Sequence, residues 1–209
     1  MAADNRRSKG EGISKIKKKD FIENSVFSVY LEGIGYTIAQ LRDDCQMEFF
    51  NILRERDEWG GVDLNEEKVL FCIVVAAHRL LALFHRNITS EVIFNERARC
   101  LVGLSYSSVR ENTGVFGLNL IECGDVFDPN NIKVLIKNLD PVFHKDILYS
   151  FELLGMNGKV DEIKERLVRY FSEGVNFDTQ IKFLYPELEL PPKWYVRKGV
   201  EDIKSFLNH

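Results

Sequence analysis

The sequence predicts a mainly α fold: a single globular helical domain behind a disordered or extended basic N-terminal arm, with room for one small β-hairpin. Three observations predict it. Only 5 of 209 residues are Pro, helix-start chemistry recurs along the chain, and positive charge is concentrated at the N-terminal end. Hydrophobic residues at 45% and charged residues at 29% match ordinary globular usage and exclude wholesale disorder, collagen and coiled coil. At this length roughly 70% of the unfolded surface can be buried, so no disulfide or metal staple is needed.

The arm is residues 1–19. Arg6, Arg7, Lys9, Lys15, Lys17, Lys18 and Lys19 stand against only Asp4 and Glu11, a net +5. The other 190 residues carry 21 basic and 30 acidic side chains, a net −9. That switch is the pattern of a basic arm on an acidic body. Almost nothing before Ile13 is apolar, so the arm alone cannot offset its ordering entropy. Its charge suits a phosphate polymer, whose affinity comes largely from counterion release. The same composition serves nuclear import or an anionic membrane surface, and a partnerless solubilising tail is the plain alternative.

Residues 20–128 are expected to form a helical core. Ser25–Leu31 and Val115–Ile121 are β-branched and aromatic enough to form a hairpin or to stay irregular. Thr37-Ile-Ala-Gln40 and Asp63-Leu-Asn-Glu66 both have capping-box form. The first predicts a helix to about Trp59, with Ile38, Leu41, Cys45, Phe49 and Ile52 on one face, ended by Gly60-Gly61. The second predicts an apolar helix, Leu64–Arg86. Its most apolar stretch, Val69–Phe84, is interrupted by His78 and Arg79 and is too short to cross a bilayer. Ser90 caps another helix, from Glu91 to about Gly103.

Residues 129–209 read as a C-terminal helical subdomain packed on that core. Asp128-Pro129 and Asp140-Pro141 each set an Asp cap before a Pro at the first helical position, predicting helices to about Asn138 and Leu154. Gly155 and Gly174 suit left-handed residues beyond helix ends. A last short helix, about Val200–Leu207, follows Pro191-Pro192.

Catalytic motifs are missing. There is no Gly-x-Ser-x-Gly elbow, no phosphate loop and no His-Glu-x-x-His, so no enzyme activity is expected. Gly33-Ile-Gly35 reads as a turn. Asp43-Asp44 and Glu66-Glu67 are helix neighbours pointing to different faces, unable to share a proton or a metal. On one helix His78 and His85 would lie about 10 Å apart along the axis, too far for one zinc. Cys45, Cys72, Cys100 and Cys123 lack ligand spacing and read as buried free thiols in a reducing compartment. No metal and no cofactor are expected.

Residues 140–171 read as helix, short link, helix. Ile147, Phe151, Gly155 and Met156 form the first helix and its turn; Gly158, Ile163, Arg166 and Leu167 form the second. In these residues the segment resembles the SAP module, a two-helix unit that binds DNA or RNA backbone; similar segments occur in retroelement Gag-like proteins. The link is shorter than in that family. The resemblance implies a phosphate-binding second helix, with Lys159, Lys164, Arg166 and Arg169 as its candidates.

The expectation is therefore a non-enzymatic, self-assembling structural protein associated with nucleic acid, of capsid or nucleocapsid type. The arm cations and the four on the second helix are its contacts. No small-molecule substrate and no membrane span are expected. The alternative is an intracellular helical protein–protein adaptor whose arm serves targeting or solubility. With no apolar leader, the expected setting is cytoplasm or nucleus, not secretion.

Overall fold

A computed structural model describes residues 16–99, 101–111, 113–124 and 129–204. It corrects the expected fold class. The described chain is mainly β, not mainly α: its strands form two antiparallel sheets and one short parallel pair, beside four short helices.

The first half holds β1 (Val26–Leu31), β2 (Gly35–Leu41), β3 (Gln46–Phe50), β4 (Val62–Asp63), β5 (Val69–Val74), β6 (Arg86–Asn87) and β7 (Val92–Ile93). A five-stranded sheet runs β5-β3-β2-β1-β6, and β4 pairs with β7. The alternation that builds it is plain in register. Phe27 faces Ala39, Ala39 faces Phe49 and Phe49 faces Phe71, so all four share one side of the sheet.

The helix expected over 37–59 is therefore a strand, a turn and a second strand. Thr37 has the capping letters but sits opposite Val29, and its hydroxyl donates to the Phe50 carbonyl at 3.2 Å. Asp44 and Cys45 take positive φ, 50° and 55°, and so make the β2–β3 turn. Asp43 and Asp44 each pair with Arg99. At the β1–β2 turn Gly35 has φ 140°, and a Cβ there would lie 2.5 Å from the Arg54 carbonyl oxygen.

The apolar helix expected over 64–86 is also corrected. It is β5 followed by two 3-10 turns, Ala77–Arg79 and Leu81–Leu83. Leu70, Phe71, Ile73 and Val74 are all buried. A strand covered on both sides reads as a continuous apolar run, which periodicity cannot tell from a buried helix. The helix expected from Glu91 is β7, a loop and the start of β8 (Val102–Val109), and the one expected from Pro129 is a 3-10 turn leading into β10 (Ile132–Ile136). β9 (Phe116–Cys123) lies between β8 and β10 in the second antiparallel sheet.

Helices α1 (Lys145–Ser150), α2 (Val160–Glu173), α3 (Thr179–Leu184) and α4 (Val200–Lys204) follow. Asp140 Oδ1 accepts the Val142 and Phe143 amides at 2.8 and 3.0 Å, but these close a turn. The helix expected from Pro141 to about Leu154 is only α1, with His144 at its N-cap, and Gly155 does not take the left-handed conformation expected of it. Gly174, at φ 77°, ends α2 as a left-handed cap. Beyond α1 the chain is extended and joins the two sheets. Leu104 N–H donates to Glu152 O and Leu154 N–H to Leu104 O, while Asn157 N–H donates to Val74 O and Ala76 N–H to Asn157 O.

Three apolar clusters result. The first packs the Phe27–Phe71 side of the large sheet against Ile163, Leu167 and Tyr170 of α2. The second packs Leu104, Leu118 and Leu120 against α1, α3 and Tyr185. The third lies around Trp59 beneath β4 and β7. No helix among the described residues is long and apolar enough to cross a membrane.

Candidate functional site

Arg6, Arg7, Lys9 and Lys15 lie outside the described residues. Lys17, Lys18 and Lys19 are exposed, directly after Ile16, which is buried in the first cluster. Lys159 is paired with Glu162 at 2.6 Å, and Lys164 is half-buried. Arg166 is buried, donating two hydrogen bonds of 2.8 Å to the Glu152 carboxylate and one to Asn176 Oδ1, with its guanidinium 4.0 Å from the Phe71 ring centre. Arg169 donates to the Val175 and Phe177 carbonyls. The nucleic-acid interface expected on α2 is thus not supported. Arg166 is committed to the protein's interior and the half-buried Arg169 to two backbone carbonyls, and the helical architecture expected around them is replaced by a β-rich fold.

Glu152 is the centre of a buried ion cluster. Arg166 reaches it from α2 and Arg197 from the C-terminal segment, at 2.8 and 2.6 Å. Burial alone would push the carboxyl up, but the two guanidiniums hold it down at about 2. One carboxylate here ties together the segment after α1, the helix α2 and the chain beyond Trp194.

A second polar cluster gathers a serine, a histidine and an aspartate. Asp57 accepts from Ser28 Oγ at 3.1 Å, Arg86 Nε at 2.7 Å and the Trp59 indole, and His85 Nε2 lies 3.7 Å from it. Nucleophilic catalysis needs the histidine between serine and carboxylate. Here Ser28 and His85 both address the same Asp57 oxygen, and Ser28 is fully buried. The arrangement fastens β1 to the loop before β4. Among the described residues, no group of three or more His, Cys, Asp or Glu could hold a metal.

The feature with free chemistry is apolar. On one side of the second sheet, Leu104 faces Leu120, Tyr106 faces Leu118 and Val109 faces Phe116. The apolar row is continuous, but its cover is not. Leu104, Leu118 and Leu120 are sealed beneath α1 and α3, whereas Tyr106, Val109 and Phe116 are 53%, 52% and 51% exposed. Tyr106 and Phe116 meet edge to face, ring centres 5.8 Å apart.

Beside them α3 turns Ile181 and Leu184 inward and leaves Phe183 74% exposed. These aromatics border an open concavity of about 690 Å³, edged by Lys159, Glu162, Thr179 and Gln180. Tyr185 holds α3 in place: its hydroxyl accepts the Leu118 amide and donates to the Leu139 carbonyl, while Arg110 stacks 4.3 Å from its ring centre. The burial that secures it also raises the hydroxyl's pKa.

Sequence reasoning missed this surface. The alternation Val102-x-Leu104-x-Tyr106 was the available signal for β8; nothing in one sequence shows where the cover stops.

A family model described as a domain of unknown function, DUF8309, matches residues 15–189. No curated protein and no solved structure matches the chain.

Proposed function

The chain belongs to the DUF8309 family, and from its geometry we propose that it is a non-catalytic protein-docking module that binds a basic partner through Tyr106, Phe116 and Phe183. The observation that carries this reading is the uncovered end of an otherwise sealed apolar row. Exposed aromatic side chains grouped around a concavity, with a polar rim, have the anatomy of an interaction surface. Aromatic anchors of this kind carry most of the binding energy where they are found.

Charge selects the partner's class. The chain outside its arm has a net −9, which steers cationic proteins toward it and repels anionic ones. The partner is accordingly a basic protein presenting apolar side chains. An intracellular setting belongs to the same reading: Cys45, expected to be buried, is instead exposed and unbridged, which suits a reducing compartment.

The test compares the wild-type chain with a Tyr106→Ser, Phe183→Ser variant, each immobilised and challenged with candidate partners that are then purified and titrated individually. A basic protein should bind the wild type, lose at least tenfold in affinity against the variant, and associate more slowly as salt rises. Equal affinity for both chains would contradict the proposal. A second copy of the same chain as the occupant would replace the basic-partner reading by self-association.

A further inference from the structure

Away from the docking surface, the outer edge of β5 is fastened at two ends to the chain beyond α1, and between those ends it stands apart from the segment 151–154. At one end Asn157 N–H donates to Val74 O. At the other, Asn176 Nδ2 and Arg197 Nη1 both donate to Leu70 O at 2.8 Å. Between the fasteners lies a cleft of about 280 Å³. Val69 of β5 lines it, together with Val102 of β8 and Leu154. Lys68 and Lys198 line it as well; both are exposed, and neither has an ion-pair partner among the described residues. Lys198 is held in place by its own amide, which donates to Ser150 Oγ at 2.8 Å.

The charge balance here runs against that of the chain. Glu152, at the base of the cleft, is already met by Arg166 and Arg197. The charged residues that line the cleft are Lys68, Arg197 and Lys198 against Glu152, a net +2. Asp202, whose carboxylate accepts the amide of the lining residue Gly199, still leaves the balance positive in a protein whose formal charge is −4. A mostly apolar cleft with a few convergent polar groups is the usual form of a small-molecule site. An inorganic anion would leave the apolar walls wet, and a neutral hydrocarbon would leave both lysines unanswered.

We infer that this cleft binds a small amphipathic carboxylate, with its apolar body between Val69 and Leu154 and its carboxylate at Lys68 and Lys198. Calorimetric titration of the full chain tests it, with decanoate as the probe below its aggregation concentration. Decan-1-ol and inorganic phosphate test each half of the ligand separately. Decanoate should bind once per chain and at least tenfold more tightly than either control. Lys68→Met with Lys198→Met should weaken it at least tenfold, with thermal unfolding of the unliganded protein unchanged because both side chains are exposed.

The Tyr106→Ser, Phe183→Ser variant should keep decanoate binding intact, which separates this site from the docking surface. No decanoate binding, decanol binding as tight as decanoate, or full affinity after loss of both lysines would each overturn the inference.

Discussion

Glu152→Gln is the perturbation whose size the structure fixes best. The carboxylate lies between Arg166 and Arg197, with side-chain exposures of 8%, 10% and 15% respectively. Removing its charge leaves two guanidiniums facing each other in the interior. Breaking a buried pair from one side costs roughly 3–5 kcal/mol. An independent route gives a similar figure. The carboxyl's value falls from 4.5 to about 2 on folding, worth ~3 kcal/mol at neutral pH by proton linkage.

Because the folded-state value is the lower one, this stabilisation is complete above about pH 4.5. It is lost as pH falls towards 2. Urea unfolding at pH 7 should therefore show Glu152→Gln about 3 kcal/mol less stable at an unchanged denaturant slope, with a melting temperature lower by roughly 10 °C. Between pH 4.5 and 3 the wild type should lose stability faster than the variant. A cost below 1 kcal/mol, or identical acid dependence, would refute the assignment of Glu152 as the charged centre of this cluster.

Phe49→Ala should cost roughly 3–5 kcal/mol in urea unfolding, since Phe49 is fully buried and stacked on Phe71 with ring centres 4.6 Å apart. Gly35→Ala should destabilise more than Gly33→Ala in thermal denaturation: a Cβ at Gly35 meets the Arg54 carbonyl, whereas at Gly33 nothing lies within 4 Å. Phe183→Ser should leave unfolding within ~0.5 kcal/mol of wild type, because the side chain is mostly exposed, while reducing partner affinity.

Local backbone chemistry was legible in the sequence. Gly174 at the end of α2 and the amphipathic α2 itself follow from spacing and residue type, and Ser25–Leu31 and Val115–Ile121 do carry β1 and β9, in two different sheets and not as one hairpin. The sheets were not legible, for two physical reasons. Thr37-Ile-Ala-Gln40 offers the same letters to a capping box and to a strand, and only its pairing with β1 and β3 decides between them. In β5, burial on both sides erased the alternation that marks a half-exposed strand. The site suffered similarly. Arg166 looks like a free cation until Glu152, fourteen residues earlier, is folded against it. Nothing in the sequence marks Phe183 as the residue that α3 turns outward.

The central claim is that the uncovered aromatic row is where this protein meets another. A photoreactive phenylalanine at position 183, compared with the same group at Lys193, tests that claim most directly in cells that express the chain. Cross-linking to one basic protein at position 183, absent at 193 and abolished by Tyr106→Ser, is the result expected. Equal cross-linking at the two positions, or none at 183, would contradict it.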